Sequence, residues 1–271
     1  MKRILALALL LAGCQRVEYR PEAAMPVRIA IGGRTQLIYL AVTLSEELGF
    51  YKEQGLAVTF QDFPGGAKAL EALLGGSSDV VCGFYDHTVQ MAAQGRELRA
   101  FVSVLRYLGL VAVSAKPEIK RIEDLKGKVV GVSAPGSSTH LFLNYLLVTH
   151  GLKPSDVSTP SIGMGSTAVA AIEHGNVDAA MMSDPSIDIA RKKSPSVHIL
   201  ADARTAEGVK EIFGVDTYPS TVIYSTSEWL DGHQEQARRV ATAVRRTIEW
   251  MQAHSAEEIL AKMPPDFRTG D

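Results

Sequence analysis

Residues Val129 to Leu143 read VVGVSAPGSSTHLFL: an apolar strand, a Pro135-Gly136 break, and a helix whose first turn is Ser137-Ser138-Thr139. A helix N-terminus carries free backbone N–H donors and a partial positive charge, so hydroxyls and small residues there suit an anion. Ser133, Ser137, Ser138 and Thr139 are therefore candidate ligands of an anionic group, with plain N-capping as the alternative. Gly33, Arg34, Thr35 and Gln36 follow an earlier strand in the same way; Arg34 is placed either to pair with the same anion or to stay in solvent. Tyr85, Asp86 and His87 put an aromatic, an acid and an imidazole at one strand end. That trio suits an organic ligand carrying a donor such as an amine or ring N–H. Ser183 and Asp184 end a further strand before Pro185, and Asp184 serves either a ligand or the turn backbone.

An internal repeat positions these turns. Gly66 and Gly76 are ten residues apart, with Ala69, Leu70, Ala72 and Leu73 between them and Asp79 three residues beyond. Gly165 and Gly175 repeat the spacing, with Ala168, Val169, Ala171 and Ile172 between and Asp178 beyond. Each copy then enters an apolar strand and exits at an acid, Asp86 or Asp184. Upstream, Val27 to Ile31 and Val129 to Val132 are first strands, and short second strands are expected near Ala57 to Phe60 and Val157 to Ile162. Strand–helix–strand–helix–strand alternation predicts a parallel sheet with helices on both faces, twice, hence two α/β lobes, each a doubly wound sheet. Phe101 to Ser114 reads as one continuous strand crossing between lobes, and Tyr218 to Ser225 as a returning strand. A helix over Gln234 to Ala253 follows, then a short one opened by the Ser255/Glu258 capping box. Ligands of open α/β sheets sit beyond the carboxyl ends of the strands, which places the site in a cleft between the lobes. Phe63 and Phe84 are either walls of that cleft or core.

Other chemistries find little support. The formal charge of −2 does not point to nucleic acid, and the arginines at 238, 239, 245 and 246 alternate with Val240, Val244, Ile248 and Met251 as the wet face of a helix. Gly163-Met164-Gly165-Ser166-Thr167-Ala168 fits a dinucleotide fingerprint, but the strand before it contains Ser, Thr and Pro and the helix after it is short. Ser133 misses a nucleophile elbow by one residue. The seven histidines have no metal-ligand spacing, and Cys82 lies in an apolar run as a buried strand thiol. No cofactor, metal or catalytic residue is expected.

The first 13 residues form a leader. Lys2 and Arg3 precede nine apolar residues, too few for the about 20 of a membrane span and right for a signal h-region. Leu11-Ala12-Gly13-Cys14 resembles the lipobox of bacterial lipoproteins, which implies cleavage before Cys14 and a lipid on its sulfur. Residues 14–26 then read as a tether.

Two further stretches carry a family likeness. Ile122 to Val132, IEDLKGKVVGV, resembles the opening of the second lobe in periplasmic substrate-binding proteins of ABC transporters. With Gly49 to Leu56, GFYKEQGL, the chain resembles the nitrate/sulfonate/taurine and thiamine-pyrimidine-precursor (SsuA/TauA-like) branch. The resemblance implies a type II-like two-lobed fold, with 27–112 as lobe one, 113–216 as lobe two and 217–271 returning to lobe one. It implies a monomeric, extracytoplasmic, membrane-anchored lipoprotein that closes on a small solute and delivers it to an ABC permease. Family members usually continue beyond the position of Asp271, so a shortened lobe one is expected. The alternative is an enzyme on this fold acting on a pyrimidine precursor or carboxylic acid; eukaryotic relatives of that kind carry a cysteine-rich motif missing here.

Overall fold

The computed structural model describes residues 23–268; the leader, Cys14 and the tether as far as residue 22 lie outside the described residues. Among the described residues nine strands form two mixed sheets. The first holds β1 (Met25–Gly32), β2 (Leu56–Phe63), β3 (Val80–Phe84), β4 (Leu98–Ser103) and β9 (Thr221–Thr226), in the order β2-β1-β3-β9-β4. The second holds β5 (Val111–Ser114), β6 (Val130–Gly131), β7 (Ala179–Met182) and β8 (His198–Asp202), in the order β6-β7-β5-β8. β1 begins two residues inside the stretch read as a tether, because Met25 and Pro26 pair with Leu56 and Ala57.

The sheets are mixed rather than parallel, and the crossings explain why. β5 enters the second lobe from the first and runs antiparallel to β7 and β8; β9 returns and runs antiparallel to β3 and β4. The crossing is not one continuous strand. β4 and β5 belong to different sheets, and residues 104–110 between them are irregular. Gly109 turns there with φ +72, against Ile38. The expected strand at Val157 to Ile162 is reduced to bridges, Val129 to Ser158 and Val132 to Ser161, since Pro160 has no N–H to give a ladder.

The helices α1 (Leu40–Glu47), α2 (Phe50–Glu53), α3 (Gly66–Leu74) and α4 (Asp86–Ala93) belong to lobe one. Lobe two carries α5 (Ser138–Thr149), α6 (Ser166–Glu173), α7 (Ser186–Lys193) and α8 (Ala206–Phe213). After β9 come α9 (Ser227–Gly232), α10 (Gln234–Ala253) and α11 (Ala256–Lys262), the last opened by the Ser255–Glu258 capping box. The repeated apolar residues of α3 and α6 are buried in both copies. Leu70, Leu73, Val169 and Ile172 each contribute about 1.5–3 kcal/mol when fully buried, and the alanines less. α10 buries Ala237, Val240, Ala243 and Val244, while its four arginines pair with Glu235, Glu249 and Glu53.

The repeated acids are ties within each sheet. Asp79 Oδ2 accepts from Arg28 N at 2.7 Å, and Asp178 Oδ2 accepts from Val129 N at 2.9 Å. Their carbonyls accept from Ser225 and Ser114, on the two antiparallel crossing strands, at 2.6 and 2.7 Å. One sequence signature thus does one structural job twice, joining first strand, third strand and crossing strand.

Candidate functional site

The carboxyl ends of β1 and β3 and the helix starts of α3 and α4 face the starts of α5, α6 and α7. In lobe one, Asp62 Oδ1 accepts from Gly33 N and Arg34 N at 3.1 and 2.8 Å, which fixes the turn after β1. Gly33 has φ +92 and lies against the Met164 side chain of the other lobe. In lobe two, Ser133 N donates to Thr139 Oγ1 at 3.0 Å and the two hydroxyls are 2.8 Å apart, so both fasten the start of α5.

Hydrogen bonds cross directly between the lobes. Ala67 N, in the first turn of α3, donates to Ser137 Oγ at 3.0 Å. Ser138 Oγ donates to Asp86 Oδ1 at 2.7 Å. Gln36, 1% exposed, accepts from Ser183 Oγ at 2.8 Å and Ser186 Oγ at 3.2 Å. Leu37 N donates to the Asp184 carbonyl at 2.8 Å. α3 and α5 therefore meet N-terminus to N-terminus, a convergence of donors and positive dipole ends relieved by Ser137 and Asp86 as acceptors.

Two spaces lie in this cleft. The inner one, about 10 Å³, is bounded by Gly32, Tyr39 and Gly66 on one side and Ser133, Ser138 and Met164 on the other. It is water-sized at most. The outer one, about 710 Å³, lies among Thr35, Asp62, Phe63, Ser161, Ser166 and Thr167, with Met164 in both walls. Burial holds the Tyr39 hydroxyl well above its ordinary pKa, helped by Cys82, Asp86 and Asp62, so it remains a donor. Among the described residues no group of His, Cys, Asp and Glu is arranged to hold a metal ion.

Gly33, Thr35, Gln36, Asp86, Ser133, Ser137, Ser138, Thr139 and Ser183 are brought together here. Three other residues expected at the site point elsewhere. Arg34 lies 5.1 Å over the Phe60 ring and 3.5 Å from Asp266. Tyr85 is 45% exposed and lines an outer groove with Phe101, Pro219 and Val222. The Asp184 carboxylate pairs with Arg204 at 3.0 Å. The buried His87 ring lies against Gly66, in the first turn of α3. Phe84, one of the two phenylalanines left as wall or core, is buried and also borders the inner space. Tyr39, Ala67 and Ser186 join the site without a signal in the sequence. Met164 lies in the Gly163 to Thr167 turn, which the strand-end rule places at the cleft, between two glycines at positive φ.

Arg204 also holds Asp202, at 2.7 Å. Burial pushes the Asp202 pKa up, but hydrogen bonds and charge from Arg204 outweigh it and leave the carboxyl below its ordinary range. Burial likewise pushes the Asp79 carboxyl up, and the hydrogen bonds and charge of Arg28 outweigh it and hold it low. Carboxylates with lowered folded pKa contribute stability above the unfolded value of about 3.9, and that contribution is lost as pH falls through the folded value. The melting temperature is therefore expected to drop as pH falls below about 4, and less steeply in Arg204→Gln. Melting curves of both proteins check this; an equal acid slope in Arg204→Gln contradicts it.

Residues 38–258 match the family profile described as NMT1/THI5 like. A solved structure from Bordetella bronchiseptica RB50 is 39% identical, covers 92% of this chain and 78% of its own, and superposes with a TM-score of 0.87. The alkanesulfonate-binding protein SsuA from Xanthomonas axonopodis pv. citri, bound to MOPS, is 22% identical over 90% of this chain and 83% of its own, TM-score 0.64, and shares the fold. A protein of Escherichia coli (strain K12), provisionally named an aliphatic sulfonates-binding protein, is 32% identical over 190 residues, 68% of this chain. The match spans 58% of that relative's length. By the extent of the profile match and the two-lobed architecture, the chain belongs to the NMT1/THI5 like family and has the periplasmic-binding-protein fold.

Proposed function

We propose that this chain is an extracytoplasmic solute-binding lipoprotein that takes a small anionic or zwitterionic organic solute into the cleft and delivers it to an ABC importer. The observation that carries this reading is the head-to-head approach of α3 and α5, with Ser137 Oγ accepting from Ala67 N. Backbone donors from two lobes converge on one place, and Arg34, Lys68 and Arg204 in the neighbouring turns are committed to Asp266, to Glu71 and to Asp184 and Asp202. A donor-rich site whose neighbouring cations, among the described residues, are paired suits an oxyanion held by dipoles and hydroxyls. The names of the Xanthomonas and Escherichia relatives favour a sulfonate and favour capture over catalysis. Anchoring through Cys14 is part of the proposal and rests on the leader sequence.

In this reading Gly33, Thr35, Gln36, Asp86, His87, Ser133, Ser137, Ser138, Thr139 and Ser183 form the binding surface, and Met164 separates its inner and outer parts. The inner space is too small for an organic solute, so entry requires the lobes to part and close again. The test is the melting temperature of the chain without its leader against taurine, ethanesulfonate, benzenesulfonate, nitrate, aminopyrimidines and acetate. A solute at 100 times its Kd adds about 2.7 kcal/mol, an upward shift of about 5–10 °C for a protein of this size. A folded protein that shifts with none of them contradicts the reading.

A further inference from the structure

His87 is fully buried in the first turn of α4, and two glycines make room for it and its partner. Its ring lies against Gly66, where a Cβ would fall 2.8 Å from Cε1. Tyr224, also fully buried, crosses β3 at Gly83, where a Cβ would meet its ring at 3.2 Å. The two rings stand edge to face at 82°, and His87 Nδ1 is 3.0 Å from the Tyr224 hydroxyl. His87 Nε2 is buried and has no hydrogen-bond partner among the described residues.

The Tyr224 hydroxyl settles the tautomer. Burial raises its pKa well above the ordinary phenol value, so it keeps its proton, and His87 Nδ1 is the acceptor within reach. If Nδ1 carried the hydrogen instead, the buried Tyr224 proton would lose its acceptor, which a buried donor tolerates poorly. Burial also lowers the His87 pKa, against the opposing pull of Asp86, so the ring is neutral. Nε2 therefore carries a hydrogen. It adds a neutral donor beside the first turn of α3, whose own N–H groups are donors too, and the acceptor there is Ser137 of the other lobe. Donors gathered around one point call for a shared acceptor.

We propose that His87 is a specificity-determining residue whose Nε2–H, oriented by Tyr224, donates to an oxyanion oxygen of the captured solute once the lobes part and Ser137 withdraws from α3. This rests on the reading of the cleft as a solute site. Tyr224 is then a positioning residue: it fixes which ring nitrogen carries the hydrogen and touches no solute. The pair favours ligand groups that only accept, such as ionised sulfonate, nitrate or carboxylate oxygens, over groups that present a proton at the same place.

The experiment titrates ethanesulfonate, nitrate and acetate separately into the wild type, His87→Phe, His87→Gln and Tyr224→Phe. It also records a long-range ¹H–¹⁵N spectrum of the histidines without solute. His87→Phe is expected to raise Kd at least about tenfold for the anion that binds. His87→Gln, whose amide Nε2 can take the place of the ring donor, recovers part of the loss. In the spectrum the wild type shows His87 as the Nε2–H form, and Tyr224→Phe shows a mixture of tautomers with intermediate affinity. An Nδ1–H or charged ring in the wild type overturns the proposal even where His87→Phe fails to fold. Unchanged affinity in His87→Phe overturns it while leaving the cleft reading intact. A wild type that binds none of the three overturns the proposal, while the cleft reading falls only if taurine, benzenesulfonate and the aminopyrimidines fail to bind as well.

Discussion

Gly32→Ala is expected to destabilise this protein by about 3 kcal/mol, the upper part of the range for overpacking a tight interior. The added Cβ would fall 2.3 Å from Gly66 N and 2.4 Å from the Gly65 carbonyl carbon, and both are backbone atoms that no rotamer change can move aside. β1 or the start of α3 must shift, and the first turn of α3 is the part that meets Ser137 across the cleft. The melting temperature should fall by about 6–12 °C, at roughly 2–4 °C per kcal/mol for this chain length. Gly49→Ala is the control. Gly49, unlike Gly32, has a positive φ, +74, but nothing lies within 4 Å of its Cβ position, so backbone strain of about 1–2 kcal/mol is its whole cost. Gly32→Ala no worse than Gly49→Ala would mean that the close approach of β1 and α3 is not a constraint.

Breaking the Ser138–Asp86 contact is expected to shift the balance between closed and open lobes. The hydroxyl donates to a carboxylate at 2.7 Å, and the two residues belong to different lobes, so the bond exists only when they meet. Hydrogen bonds to charged groups contribute about 1.5–3 kcal/mol, which corresponds to a tenfold or greater fall in the closed-to-open ratio when both partners are removed. Ser138→Ala/Asp86→Ala should therefore show a larger radius of gyration by small-angle scattering and weaker binding of whichever probe anion binds the wild type. Both single variants should give most of the effect, because each removes the same bond. Additive single effects in the double-mutant cycle, or an unchanged radius, would show that the contact does not govern closure.

The sequence by itself determined the twin architecture. Glycines ten residues apart, apolar residues at helical spacing between them and an acid three residues on specify a helix, its end and the entry to the next strand through local geometry alone. That signal needs no knowledge of the rest of the chain, and α3 and α6 formed where the spacing placed them. The capping box at Ser255 and the wet and dry faces of α10 were legible for the same reason. Strand direction in the crossings was not, because whether β5 and β9 run with or against their neighbours depends on which lobe the chain has come from.

Only the tertiary structure decided where the polar side chains of the turns point. Arg34, Tyr85 and Asp184 occupy turns at the cleft as their spacing required, yet Asp266, an outer groove and Arg204 claim their side chains. His87 finds Tyr224 137 residues further along, and Ser138 finds Asp86 from 52 residues away. A side chain's direction is set by the charges and volumes of distant segments packed beside it. Local residue pattern carries the backbone to the cleft, and only packing chooses which atoms face into it.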